Sequence, residues 1–493
     1  MFEKITPEQA GISSRRVRRF MEQLEDAGMP MHSILLAKGN SLFAECYFAP
    51  FTADFCHRMY SQTKSYVGIA IGLLAEEGKL SLDDPIVKFF PDKIERPVPP
   101  ELARQTVRDM LTMRTGVGAL NWFYSAGLDR THEYLNAGMI MRIPGTVWEY
   151  DSAGSQVLSS LVERLAGKSL FDYLTEKVFC HLGTFKTATI LKTPNGDSWG
   201  DSALVCRPRD MLSFGRLLMQ GGEWEGKQIL PRDYVREATS PVASNVACGF
   251  NTCNARGYGY QIWSDGPEGF SFHGMGSQFT VCRPQKDFCL VCTADTQGHP
   301  YAYGVLFSAI AELLKDMQDA PLAADPAAEE ELAAYISTRK LMAAVGEKES
   351  PTAAEIDGKE FICRENKSGI TRFSLRFEGE EGVLSYTNAQ GNKELRFGMC
   401  ENHFGKFPQY GYSDGVGKTR EWNGFLYDCA TSAAWIEERK LLLRAQVIDR
   451  YFGNLTAIFS FTKQGECVLY LEKHAEHFMD EYQGTVIAEA APL

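Results

Sequence analysis

Between positions 67 and 75 the chain reads Val-Gly-Ile-Ala-Ile-Gly-Leu-Leu-Ala, with no polar side at any helical spacing. That pattern predicts a helix packed on all faces, in which Gly68 and Gly72 let neighbours approach closely. Upstream, Val17, Phe20, Met21 and Leu24 recur at helical spacing within 12–26 and predict an amphipathic helix. The runs 32–38 and 41–48 are rich in apolar residues and joined by Gly39-Asn40, which is a hairpin signal. Helical spacing returns over 106–116, 153–167, 170–178 and 210–219, whereas 118–144 reads as loop with Trp122, Phe123 and Tyr124 clustered in it. Short runs bounded by Gly, Pro and Asp then predict strands over 257–263, 269–274, 278–283 and 288–294, followed by an amphipathic helix over 303–317.

Strands at both ends of this segment, with helices between them, predict an α+β domain over residues 1–320. In it an antiparallel sheet flanked by helices is completed by an all-helical lobe. Composition shifts to Ala, Glu, Asp and Pro after Asp319, which predicts a linker with one surface helix over 321–350. From 351 to 493 roughly eight strand-like runs with close turns predict an antiparallel β-barrel-like domain, lipocalin-like or a sandwich.

Chemistry enters just before the all-apolar helix, at Ser61-Gln62-Thr63-Lys64. Residues three apart on a helix share a face, so a hydroxyl and an amine would lie side by side. A lysine drawn into an apolar interior must find partners or lose its proton, and either outcome is chemically useful beside a hydroxyl. The start of a helix adds backbone N–H groups that favour developing negative charge. The same four-residue spacing recurs at Ser337–Lys340, within an Ala/Glu-rich stretch that reads as a solvated helix face.

The formal charge of −12 and the lack of a dense Lys/Arg stripe argue against nucleic acid as a partner. The first residues carry no basic segment followed by an apolar core, and no later run approaches membrane-spanning length, so a soluble cytoplasmic protein without membrane partners is expected. Thirteen cysteines scattered without framework spacing fit a reducing compartment. Cys289-Leu-Val-Cys292 sits in a predicted buried strand and has no second pair at zinc spacing, so no metal is expected. Gly411–Thr419 resembles a phosphate-binding loop but has Tyr412 where that loop requires its first glycine. Tyr386-Thr-Asn388 has the residue types of a tyrosine motif yet falls in a predicted strand of the second domain.

Three motifs then occur in one order: Ser61-Gln-Thr-Lys64, Tyr150-Asp-Ser152, and Phe272-His-Gly274 in a strand context. This order resembles the serine β-lactamase and penicillin-binding-protein-like hydrolases. It is most similar to the class C β-lactamase-related branch of esterases, D-aminopeptidases and 6-aminohexanoate-dimer hydrolases. Gly78-Lys-Leu-Ser-Leu-Asp-Asp-Pro85 and Met110-Leu-Thr-Met-Arg-Thr-Gly116 are similar to stretches of that branch, and the resemblance spans about residues 1–320. It implies an active site between an α/β lobe and a helical lobe. Ser61 would be the acylated nucleophile, Lys64 its proton partner and Tyr150 the general base, with no cofactor. Elementary chemistry agrees, because an ordinary tyrosine, with a pKa near ~10, needs a nearby cation to act as a base at neutral pH. The oxyanion would be held by the Ser61 N–H and a strand N–H near Met275.

Two departures from that family shape the expected function. Ser152 stands where asparagine is common, and hydrogen-bonds with shorter reach. Neither Phe272-His273-Gly274, the preferred register, nor His273-Gly274-Met275 contains the lysine that often binds a substrate carboxylate. Small ester or amide substrates without an obligatory carboxylate are therefore expected, with Ser152, His273, Gly274 and Met275 as substrate-binding positions. The alternatives are a β-lactamase, D-amino-acid peptidase or acyltransferase on the same site, and a catalytically silent relative that binds a ligand or partner. No G-x-S-x-G or H-E-x-x-H motif supports an α/β-hydrolase or zinc-peptidase reading.

Overall fold

The computed structural model describes residues 2–118, 120, 127–137, 140–246, 255–410, 426–476 and 479–492. Within them the chain forms two compact units, one reaching to Lys340 and the other starting at Leu341. The aromatic cluster at 122–124 and the glycine-rich segment 411–419 lie outside the described residues.

In the first unit a seven-stranded sheet draws on both ends of the sequence. Its strands are β1 (Glu3–Lys4), β2 (Met31–Lys38), β3 (Ser41–Tyr47), β4 (Trp263–Ser264), β5 (Phe270–Gly274), β6 (Gln278–Arg283) and β7 (Phe288–Ala294), in the spatial order β1-β3-β2-β7-β6-β5-β4. The hairpin predicted around Gly39-Asn40 is present, and Gly39 takes the left-handed φ of 59° that such a turn favours. Pairing is antiparallel except at β1, which runs parallel to β3, so the sheet is mixed rather than purely antiparallel. Successive side chains along β6 and β7 divide between two covered faces, so every residue of both strands is buried and β7 reads as a nearly continuous apolar run. Phe279, Val281, Phe288 and Leu290 join one core with Val17, Phe20 and Leu24 of helix α1 (Ser14–Asp26). On the other face, Thr280, Cys282 and Cys289 press against Gly215 of the helix Pro208–Met219 so closely that a Cβ there would meet Thr280 at 2.6 Å. Cys289 and Cys292 are buried free thiols in this strand packing.

The residues between the two halves of the sheet supply the helical lobe, including α2 (Thr63–Glu76) and α3 (Ser152–Ala166). Every residue of α2 from Thr63 to Leu74 is buried, as its unbroken apolar pattern requires. Gly72 lies against the Tyr234 ring, where a Cβ would fall 2.3 Å from carbon, and the Tyr234 hydroxyl donates to the Gly68 carbonyl at 2.6 Å.

The segment read as a linker divides differently from the expectation. Helix Pro326–Ser337 belongs to the first unit, where Ala328 and Leu332 are buried and the Tyr335 hydroxyl donates to Glu25 at 2.5 Å. Two buried side chains on one stripe were enough to dock a helix whose composition looked solvated. Ser337 at its end is exposed and its Oγ donates to the Ala334 carbonyl, so this second Ser-x-x-Lys copy lies on a solvated face.

The second unit is a ten-stranded sheet closed on itself. Nine of the strands form a barrel, sealed by a parallel pairing of Gly398 with Ser432 and Met399 with Ala433, and this decides for a barrel over a sandwich. The tenth, His403–Tyr410, pairs with Leu426–Glu437 at the end of the sheet order; its Gly405 and Pro408 hid it in the sequence, and an edge position tolerates both. Gly484–Ala490 also lay outside the sequence expectation and pairs with Glu466–Ala475 and Glu360–Cys363. The interior is filled by side chains such as Phe373, Leu395, Leu443, Phe459 and Leu469, leaving a void of about 20 Å³. That is room for about one water, not for a lipocalin-type ligand. Tyr386 contributes its hydroxyl to this interior, 2.7 Å from that of Tyr482, which accounts for the Tyr386-Thr-Asn388 sequence structurally.

Candidate active site

Ser61 sits in a 3-10 turn, Tyr60–Gln62, that runs straight into α2. The turn is fastened on three sides. The Met59 N–H donates to the Leu204 carbonyl at 2.7 Å, the Thr63 hydroxyl donates to the Tyr60 carbonyl at 2.7 Å, and the Gln62 amide donates to the Gln278 carbonyl at 3.0 Å. Gln62 also accepts from the Thr280 hydroxyl at 2.9 Å, so both ends of its amide are spent on strand β6. These anchors hold Tyr60 at a φ of 47°, a left-handed conformation that costs a bulky residue on the order of 1–3 kcal/mol. The sequence carried no sign of that strain.

The expected pair is present. Lys64 is buried and its Nζ lies 3.0 Å from Ser61 Oγ and 2.6 Å from the Asp201 carbonyl, donating to both. A carbonyl is available to the chain at any residue, so no sequence signal marks Asp201 as the second partner. Lys64 Nζ also stands 5.1 Å from the centroid of the Tyr150 ring, within cation–π range. Lys64 therefore stands beside both Ser61, from its own motif, and Tyr150, from a motif far along the sequence.

Tyr150 is positioned from behind and from below. Asp151 caps α3, accepting from the Gly154 N–H at 2.8 Å and from the hydroxyls of Thr115 at 2.8 Å and Tyr134 at 3.2 Å. Burial raises the Asp151 carboxyl above its ordinary range, against the pull of those donors. Ser152, half-buried, is the first residue of α3, one step beyond that cap. The Tyr150 ring packs on a buried cluster of Met113, Trp148, Tyr258 and Trp263.

The third motif divides in two. Gly274 comes to the turn that bears Ser61: a Cβ on it would fall 2.0 Å from the Met59 carbonyl oxygen, so only glycine lets β5 approach there. Met275 follows, half-buried, at the strand's end. His273 points into the core instead. Its ring stacks on Trp263 at 5.2 Å and meets Phe279, Tyr303 and Phe307. Its Nε2 lies 2.7 Å from Ser271 Oγ, and Ser271 donates in turn to Asp265, which also accepts from Arg283 at 2.5 Å. With the serine proton committed to Asp265, Nε2 must carry the hydrogen, leaving Nδ1 bare and buried. Burial, with Arg283 adding to it, lowers the His273 pKa to about 3, so the ring is neutral. The expectation of His273 as a substrate-binding group is thereby corrected: strand alternation turns it away, and the other candidate position, Phe272, packs on Phe214.

Among the described residues no cluster of His, Cys, Asp and Glu could hold a metal ion, and no helix is long and apolar enough to cross a membrane.

Comparisons with known proteins bear on the family and the fold. A 6-aminohexanoate-dimer hydrolase of Paenarthrobacter ureafaciens is 23% identical over 261 residues, covering 50% of this chain and 67% of its own. A candidate D-alanyl-D-alanine carboxypeptidase of Escherichia coli is 26% identical over 215 residues, 37% of this chain and 49% of its own. Among solved structures, a candidate 6-aminohexanoate-dimer hydrolase from Bacillus anthracis superposes with a TM-score of 0.53 at 20% identity, over 64% of this chain and 88% of that one. A candidate β-lactamase from Bacteroides dorei does so at 0.50 and 16%, over 61% and 98%. The sequence profile of the β-lactamase family matches residues 15–315, which is more than half of the chain and includes all three motifs. On that match the chain belongs to the β-lactamase family, in the β-lactamase and penicillin-binding-protein-like superfamily that its motif order resembles.

Proposed function

We propose that the protein hydrolyses a small ester or amide through an acyl-enzyme on Ser61. The observation that carries this reading is the 3.0 Å contact of Lys64 Nζ with Ser61 Oγ, made by an amine already held by the Asp201 carbonyl and set over the Tyr150 ring. Hydrolysis is also in keeping with the names of its relatives.

In this mechanism the Tyr150 oxygen, its negative charge stabilised by the Lys64 ammonium, takes the Ser61 proton as Oγ attacks the substrate carbonyl carbon. The N–H groups of Ser61 and Met275 hold the resulting oxyanion. Collapse expels the alcohol or amine, which leaves with the proton from Tyr150. Water then attacks the Ser61 ester with the same base, releasing the acid and restoring the serine. Phe272, in the place where a lysine often stands in this family, has no charge with which to bind a substrate carboxylate, which favours substrates lacking one.

The test is labelling with a fluorophosphonate probe, alongside turnover of short p-nitrophenyl esters, anilides and a chromogenic cephalosporin. Labelling should occur in the wild type and vanish in Ser61→Ala, with esters or anilides turned over faster than the cephalosporin. Absence of labelling and turnover in the wild type would sink the acyl-enzyme, while a faster cephalosporin reaction would reverse the substrate preference.

A further inference from the structure

From a cavity on the far side of the sheet from Ser61, we infer a second binding site, selective for a medium-chain carboxylate. The cavity measures about 490 Å³, within the ordinary range for small-molecule sites. It opens where the end of β6 and the turn after it face helix Ala302–Asp316, the face of the sheet opposite Gln62 and Thr280.

One wall is apolar. Phe307, Ile310, Ala311 and Leu314 form a single stripe at helical spacing, and the seven-residue step from Phe307 to Leu314 spans about 10 Å of helix. An aliphatic chain laid along that stripe would be in contact throughout. The rest of the lining is charged: Arg256, Arg283, Lys286, Asp265 and Glu268 from the facing segments and Lys315 from the helix itself, a net of two positive charges in a chain whose formal charge is −12.

These charges are not equally free. Asp265 is neutralised by Arg283 at 2.5 Å and Glu268 by Arg256 at 3.2 Å. Lys286 donates to the Met317 carbonyl, and neither it nor Lys315 lies within ion-pair distance of a carboxylate among the described residues. Arg283 is a built part of the site, since its side chain is only 6% exposed yet lines the cavity. Two unpaired ammonium groups at the end of an apolar stripe, backed by a buried guanidinium, suit one anionic head on one apolar tail. The uncharged alcohol of equal length fits the stripe but leaves both lysines unanswered.

The measurement is calorimetric titration of the full-length protein with decanoate and with 1-decanol. Decanoate should bind with one-to-one stoichiometry and at least tenfold more tightly than decanol. Lys315→Glu, at an exposed position, should weaken decanoate at least tenfold, and Ala311→Trp, which sets an indole into the middle of the apolar stripe, should abolish its binding. Failure of decanoate to bind overturns the inference. So does binding that both variants leave unchanged, which would place the ligand elsewhere, or equal affinity for decanol.

Discussion

The rings of Tyr150 and Trp263 lie stacked, with centroids 5.7 Å apart and planes 17° apart, and Trp263 stacks in the same way on His273. Trp263 is buried in the cluster against which the Tyr150 ring packs. Trp263→Ala should lower unfolding free energy by about 3–5 kcal/mol, the usual cost of deleting a buried aromatic. Trp263→Phe should keep most of that stability. If Trp263 positions Tyr150, kcat in the Phe variant falls while KM moves little; an unchanged kcat would reduce Trp263 to packing alone.

Removal of the Tyr150 hydroxyl is the sharper test of the base. Tyr150→Phe should reduce kcat by about 10²–10⁴, the span expected for a lost general base, with no more than a small change in thermal midpoint. Lys64→Ala should reduce the fluorophosphonate labelling rate to a similar degree, because it deprives Ser61 Oγ of its neighbour at 3.0 Å. Ester turnover at wild-type rates by either variant would remove that residue from the mechanism.

Gly274→Ala puts a methyl group where the Met59 carbonyl oxygen is 2.0 Å away. Backbone, not a flexible side chain, must give way, and overpacking of this kind costs about 1–3 kcal/mol. The displaced element is the turn bearing Ser61, so the labelling rate should fall at least tenfold, together with a lowered urea midpoint. Retention of both would show that the close approach is not needed.

Buried histidines set an acid limit on the first unit. Burial lowers the pKa values of His273 and His57 to about 3 and drives that of His32 down as well, with His57 adding to the last. An unfolded histidine titrates near ~6.5, so below that pH the unfolded chain binds protons that the fold refuses. The stability tied to each neutral ring is complete above about pH 6.5 and is lost as pH falls toward 3, by up to about 1.4 kcal/mol per pH unit. Asp151, Asp210 and Asp265, raised by burial, act with the opposite sign, so the informative quantity is a difference between variants. Urea midpoints measured from pH 7 to pH 4 should fall less steeply in His273→Gln than in the wild type. Parallel curves would mean that His273 is not held neutral.

The sequence was most readable where one periodicity had one cause. The unbroken apolar run of α2 and the hairpin at Gly39-Asn40 each translate directly into packing or turn geometry. Ser61 and Lys64 were legible because a three-residue spacing on a helix leaves little freedom. His273 was misread because motif order says which residue is in a strand but not which face its side chain takes. Asp201 was invisible because it acts through its backbone, and Tyr60 because its strain comes partly from anchors on two distant segments, at Leu204 and at Gln278–Thr280. The helix at Pro326–Ser337 was misplaced since its two buried residues, Ala328 and Leu332, are few among many polar ones.

The pairing of Met31–Lys38 with Phe288–Ala294 joins strands some 250 positions apart, and Gln62 is tied to Gln278 in the same long-range manner. During synthesis, the turn that carries Ser61 therefore leaves the ribosome long before the strand that fastens it. A nascent chain cut off ahead of β6 holds Ser61 and its Leu204 anchor but not the Gln278 and Thr280 contacts, and exposes an unpaired edge of β2 for as long as it waits. Assembly of the first unit's sheet is thus completed from its far end, with the translation of residues 278–294.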